Sequence, residues 1–219
     1  MPFSETQQNQ LHQGAKEWGL DLNPLAIEQF TLYANRLEEV NKTFNLTRVR
    51  PEEYHTLHFL DSLSLCAVLQ PAPGQKLLDV GTGAGLPGLA LAIAFPSLKV
   101  TLMDATLKRL RFLDAVIEEL GLSNAATLHA RAEQKVGGAQ FDIVTARAVA
   151  RLPQLVDLLL PFVNRGGAAI AYKTPTVDEE IAETRPLLPR YRATLERVAK
   201  VTLPETDIVR RLVLVRRAR

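Results

Sequence analysis

The stretch Lys76–Gly88, KLLDVGTGAGLPG, decides the fold. Leu77, Leu78 and Val80 make an apolar strand with an acid, Asp79, near its end. The strand runs into three glycines at alternate positions, Gly81, Gly83 and Gly85. Glycine tolerates positive φ and has no Cβ, so such a turn lets the backbone come close to a ligand. The apolar run from Leu86 to Phe95 reads as the helix behind the loop. Strand, glycine turn and helix in this order place a nucleotide-type cofactor site at the carboxyl end of a strand in an open α/β sheet.

Two cofactors suit this loop. Gly83–Gly88 satisfies G-x-G-x-x-G, the dinucleotide pattern. A pyrophosphate, however, sits on free N–H groups at a helix N-terminus, and Pro87 removes one of them. The favoured reading is the methyl-donor site of Rossmann-like methyltransferases, whose first motif D-x-G-x-G-x-G resembles. There the loop, with Gly81 and Gly83, wraps the methionine part of S-adenosylmethionine. Asp79 helps to organise the loop and the ligand's ammonium end. A glycine turn with no ligand is the third reading. Lys99–Met103 is a short β-rich run ending at Asp104. The strand-helix-strand spacing puts Asp104 beside the loop, where a carboxylate accepts two hydrogen bonds from ribose hydroxyls. Both cofactors carry that ribose. Asp104 also suits the N-cap of a helix over Thr106–Leu120.

Composition sets bounds. The chain has 219 residues, 47% hydrophobic and 23% charged, as expected of a soluble globular protein. A single cysteine, Cys66, excludes an internal disulfide and a zinc ribbon. No metal site is expected. Cys66 lies in the apolar run Leu63–Leu69 and reads as a packing residue. Methylation at pyrimidine C5, which needs a cysteine that adds to the base, is therefore disfavoured. No signal-peptide pattern opens the sequence and no apolar run reaches transmembrane length, so a cytoplasmic protein without a membrane partner is expected. Net charge is only +2, but arginine and lysine cluster at 108–111, at 147 and 151, and at 210–219. Arginine suits phosphates and flat base edges. A solvated surface face explains any one cluster equally well.

The chain divides into two parts. Before Pro71 it reads as helical. Asn23-Pro24 is an N-cap with proline at the first helical position, and Ile27, Phe30, Ala34, Leu37 and Asn41 follow helical spacing. Another helix starts at Arg50-Pro51, with Leu57, Leu60, Leu63 and Leu65 on buried sides. Pro71–Gly74 is a break. We expect a helical N-terminal extension over 1–72 and a cofactor-binding domain over 73–219. In the latter, strands are expected at 76–80, 99–103, 126–129, 141–145 and 168–172, with helices at 86–95, 106–120 and 153–162. Such alternation gives an α/β, mainly parallel sheet covered on both faces. A helix near 177–188 and two closing strands, 194–203 and 208–216, add an antiparallel edge and bring the sheet to seven strands.

Several local motifs together resemble one family, the bacterial small-subunit rRNA guanine-N7 methyltransferases, or GidB family. They are Asn45-Leu46-Thr47, His58-Phe59-Leu60-Asp61-Ser62, Asp79–Gly88, Asp104, Lys108-Arg109, Ala132-Glu133, Ala146-Arg147-Ala148 and Lys173. The resemblance runs from about Leu25 to the C-terminus. One departure is Thr174 after Lys173, where many relatives carry glycine. The resemblance implies a Rossmann-like S-adenosylmethionine-dependent methyltransferase that acts on N7 of a guanine in 16S rRNA. The partner is then 16S rRNA or the 30S subunit, with the enzyme expected as a monomer. Carried over by position, the cofactor contacts are Gly81, Leu86, Ala132, Glu133 and Arg147, with Asp104 on the ribose. Glu133 is equally a carboxylate at a helix N-terminus.

Guanine N7 has a free in-plane lone pair on the major-groove edge. No proton leaves before it attacks, so no strong base is needed. Arg147, just after the fourth strand, is placed to stack on guanine or contact O6; a salt bridge to Asp142 or Asp157 is its structural alternative. His58 and Lys173 are the other candidate catalytic residues, with a packing role as the alternative for His58. Arg210 and Arg211 read as RNA-facing anchors. Competing readings are an NAD(P)-dependent oxidoreductase, a methyltransferase acting on a small molecule or protein, and a non-catalytic RNA-binding module. The first lacks a tyrosine-lysine or histidine pair for hydride chemistry after the fourth strand.

Overall fold

The computed structural model describes residues 3–134 and 140–219. Its centre is a seven-stranded sheet: β1 (Lys76–Val80), β2 (Lys99–Asp104), β3 (Ala125–His129), β4 (Phe141–Arg147), β5 (Val163–Lys173), β6 (Ala193–Thr202) and β7 (Val209–Arg217). The order is β3-β2-β1-β4-β5-β7-β6. All pairs are parallel except β5–β7 and β6–β7. The expected α/β class, strand number and antiparallel edge are therefore observed. Strand order reverses between β1 and β4, and ligands of open α/β sheets bind at such a switch point.

Alternation along the strands divides the core. Leu77, Val100, Leu102, Ile143 and Ile170 face one side. Leu78, Met103, Val144, Ala169 and Ala171 face the other. The first side is covered by α1 (Glu5–Lys16), α2 (Pro24–Asn41), α3 (Asp61–Leu63), α4 (Gly88–Ala94) and α5 (Leu107–Glu119). On the second side lie α6 (Leu152–Leu159) and α7 (Asp178–Thr184). Asn23 caps α2 as read, accepting from the Ala26 N–H at 2.8 Å. Cys66 is buried, and burial pushes its thiol up to about 12. Among the described residues no helix is long and apolar enough to cross a membrane.

Three local expectations need correction. The helix behind the glycine loop starts at Gly88, not Leu86, because Leu86 and Pro87 finish the turn; a residue before proline avoids helical backbone. The expected helix at Pro51 is a 3-10 turn (Pro51–Glu53) followed by a wide π-helical stretch (Tyr54–Leu60) leading into α3. Such wide turns often accompany functional sites. Leu57, expected on the buried side, is only half-buried there. The helix expected to Leu188 ends at Thr184 and continues as a 3-10 stretch over Arg185–Tyr191, where Pro186 and Pro189 remove the donors an α-helix needs.

Gly88 fixes how closely α4 approaches β1. A Cβ there would lie 2.4 Å from Leu102 Cδ2 and 2.8 Å from Asp79 Oδ2. Overpacking of this kind costs about 1–3 kcal/mol. Gly88→Ala is expected to lower the unfolding free energy by that amount in urea titration.

Candidate active site

The glycine loop is tied down by two carboxylates. Asp79 is fully buried. Its Oδ2 accepts from the Thr82 hydroxyl at 2.6 Å and from the Gly88 N–H at 2.8 Å, so one oxygen closes the loop from both ends. Its Oδ1 has no hydrogen-bond partner among the described residues. Burial pushes the Asp79 carboxyl up to about 6, against the lowering effect of those two bonds. Asp104 accepts from the Gly83 N–H at 3.0 Å, from the Thr106 N–H at 2.8 Å and from Arg109 at 3.3 Å. Asp104 thus stands beside the loop, as the spacing suggested. The N-cap of α5 is Thr106 rather than Asp104. From the other side, the Tyr33 hydroxyl of α2 donates to the Ala84 carbonyl at 2.6 Å.

Beneath this loop, at the carboxyl ends of β1, β2 and β4, is a cavity of about 320 Å³. Gly81, Asp104, Ala132, Glu133 and Arg147 line it, together with Met103 and Val149. Gly81 has φ +68°, and a Cβ there would come 2.9 Å from Val149. Asp79, Gly83 and Leu86 do not line the cavity. Asp79 and the Gly83 N–H are consumed in shaping the loop, and the Leu86 side chain is buried in the core.

A second cavity, of about 420 Å³, adjoins the first. Arg147 and Ala148 line both. The second is completed by Leu57, His58, Asp61, Tyr172, Lys173 and Arg210, among others. Arg147, His58 and Lys173, separated by up to 115 positions in sequence, are therefore brought together. Arg147 does not pair with Asp142 or Asp157. It donates to Asp61 Oδ2 at 3.1 Å and to the Leu57 carbonyl at 3.2 Å. Asp142 instead accepts from the Lys76 N–H, and Asp157 from the Tyr191 hydroxyl. Arg210 grips the same Asp61 through both oxygens, at 3.0 and 3.2 Å. It is thus a wall of this cavity rather than a free surface anchor. Arg211 pairs with Asp178 at 2.6 Å.

His58 is buried and stacks on Tyr54. Its Nε2 lies 2.9 Å from the Thr47 hydroxyl and its Nδ1 3.2 Å from the Leu57 carbonyl. A neutral ring with hydrogen on Nδ1 satisfies both contacts. Burial, and secondarily Arg147, push its pKa down to about 3. Lys173 is held by Glu180 at 2.7 Å and by the Ala150 carbonyl at 3.1 Å.

Asp61 stands in the sequence block His58–Ser62 without a role of its own, although a carboxylate among Phe59, Leu60, Leu63 and Leu65 is itself a signal, since buried charges need partners. In sequence Asn41 is only the polar end of a helical stripe. Its side chain accepts from the Leu46 and Thr47 N–H groups and donates to the Thr47 carbonyl, which fixes the loop after α2.

The sheet order and the cavities at its switch point define the class of fold: Rossmann-like α/β. Solved structures agree on the fold. The precorrin-6Y C5,15-methyltransferase of Geobacter metallireducens superposes with a TM-score of 0.53 at 12% identity, over 73% of this chain and 88% of that one. TrmN of Thermus thermophilus gives 0.56 at 20%, over 72% of this chain and 48% of its own. The family model for rRNA small subunit methyltransferase G, GidB, matches residues 26–209. The chain belongs to that family. A relative in Lachnoclostridium phytofermentans, named ribosomal RNA small subunit methyltransferase G, is 43% identical over 94% of this chain and 88% of its own length. One of the same name in Acetivibrio thermocellus is 40% identical over 95% and 88%.

Asp61→Asn leaves Arg147 and Arg210 facing each other across a neutral amide and should destabilise the fold by about 3–5 kcal/mol in thermal or urea unfolding. For His58, the folded value lies below the ordinary 6.5. Its stabilising contribution is therefore complete above 6.5 and is lost as the unfolded chain takes up a proton at lower pH. The stability advantage of wild type over His58→Gln should shrink as pH falls from about 7 to about 5. An advantage independent of pH would show that His58 titrates alike in both states.

Proposed function

We propose that this chain transfers a methyl group from S-adenosylmethionine to N7 of one guanine in 16S rRNA. The observation that carries the reading is the single wall, Arg147-Ala148, between the two cavities. A donor in the first and a base in the second would meet across it. Membership of the rRNA small subunit methyltransferase G family supports the acceptor class and, with it, action in the cytoplasm on 16S rRNA or the 30S subunit.

The residues of the first cavity fit the donor. A ribose diol needs two acceptor sites. A carboxylate offers about four; Asp104 uses three, so one is open and the second comes free when Arg109, its longest contact at 3.3 Å, gives way. The orphan Asp79 Oδ1 leaves negative potential under the loop for the ammonium group. Gly81, Asp104, Ala132, Glu133 and Arg147 would hold the cofactor, while Asp79, Gly83 and Leu86 keep the loop in shape. When bound, S-adenosylmethionine supplies an electrophilic methyl group.

The protein's own part is positioning. N7 needs no base, and the titratable side chains of the cavity are engaged elsewhere: His58 is neutral with both nitrogens in contact, Lys173 is bound to Glu180, and Asp61 is held by Arg147 and Arg210. Arg147 would donate to guanine O6. A donor to N7 itself would occupy the attacking lone pair, so O6 is the productive contact. Asp61 offsets the charge of Arg147 and so softens repulsion with the purine, which becomes positive. Holding the reactants in near-attack geometry supplies several kcal/mol.

Purified enzyme should transfer labelled methyl from S-adenosylmethionine to 30S subunits that lack the modification, at a single guanine N7 of 16S rRNA. Fifty-S subunits and tRNA should stay unlabelled. Label on another base position, or on none of these RNAs with cofactor binding intact, would overturn the acceptor assignment.

A further inference from the structure

A third cavity, of about 460 Å³, lies beside the first two and has no part in the chemistry above. It is lined by Asn45, Leu46, Thr47, Arg48 and Arg109. Two guanidinium groups and no carboxylate line it. Arg109 also lines the cofactor cavity, and Val49, the next residue along the loop, lines the base cavity. The loop of residues 45–49 therefore links the third cavity to the base cavity, and Arg109 links it to the cofactor cavity.

Its shape is fixed in advance. Asn41 holds it through Leu46 and Thr47, and the Thr47 hydroxyl contacts His58 in the wall of the base cavity. Opposite, Lys108 of α5 sits 4.0 Å above the Phe44 ring and joins the two walls. Arg48 is exposed, and its side chain has no ion-pair partner among the described residues. The neighbouring cations differ: Arg50 is paired with Glu53 and Lys42 with Glu38. A preformed hollow with an unneutralised guanidinium at its edge suits an oxyanion, and a planar fork suits phosphate in particular.

We propose that this cavity is a phosphate subsite for the RNA strand next to the target nucleotide, with Arg48 as its free cation and Arg109 shared with the cofactor side. The inference rests on the RNA acceptor proposed above. With a base in the second cavity, the strand leaving it along the loop passes Thr47 and Arg48. The subsite binds the backbone and reads no base. It therefore acts on affinity and on placement of the strand, not on the methyl transfer itself.

The test compares wild type, Arg48→Gln and Arg165→Gln, using 30S subunits for methylation and a 16S rRNA fragment spanning the modified loop for binding. Arg165 is exposed at the start of β5, whereas the site is at the strand's far end, so its variant makes the same charge change remotely. Arg48→Gln should raise the KM for RNA about tenfold with kcat and cofactor affinity unchanged. It should also reduce the slope of log affinity against log salt by about one, the mark of one lost phosphate contact. Arg165→Gln should match wild type. Active wild type with an Arg48→Gln variant of equal KM and equal slope would overturn the subsite alone. Wild type that neither binds nor methylates the RNA would overturn the acceptor reading and the subsite with it.

Discussion

The Asp79 carboxylate, sealed from solvent at the end of β1, accepts from Thr82 at one end of the glycine loop and from Gly88 at the other. Hydrogen bonds to a charged acceptor contribute about 1.5–3 kcal/mol each. They act here against a burial cost large enough to move the carboxyl toward neutrality. Everything at the switch point follows from this contact. It sets where α4 begins, which turns the Gly83 N–H to Asp104 and brings Ala84 within reach of Tyr33. The helical N-terminal part is thus attached to the loop by a hydrogen bond as well as by apolar packing.

Asp61 organises the second cavity as Asp79 organises the first. Two arginines from distant strands, Arg147 on β4 and Arg210 on β7, meet at one carboxylate supplied by the N-terminal part. The trio carries one net positive charge. That suits a site that must attract a polyanion yet tolerate a purine gaining positive charge. The division of labour is clear in the side chains. Buried carboxylates shape the cavities, arginines face them, and His58 and Lys173 are locked by hydrogen bonds to their neighbours.

The sheet was legible because its signals are local: apolar strands of regular spacing, a glycine turn and proline breaks. Positions in contact across the sheet were harder. The alternative reading of Arg147 pairs it with Asp142 or Asp157, its sequence neighbours, whereas its partner Asp61 lies 86 positions away. Sequence proximity favours nearby partners only when no element crosses the strand end, and here the segment 54–63 does. Asn41 and Tyr33 look like ordinary helical positions because the loops they hold are set by tertiary packing. Leu86 illustrates the converse. It stands in a ligand-binding motif, yet its side chain fills the core beneath the loop.

The central claim is that cofactor and base occupy adjoining cavities separated by Arg147 and Ala148. A crystal structure with S-adenosylhomocysteine and guanosine monophosphate tests it most directly. The account predicts the ribose on Asp104 in the first cavity and guanine in the second, O6 toward Arg147 and N7 facing the sulfur. Either ligand bound elsewhere, or guanine with N7 turned away from the sulfur, would contradict it.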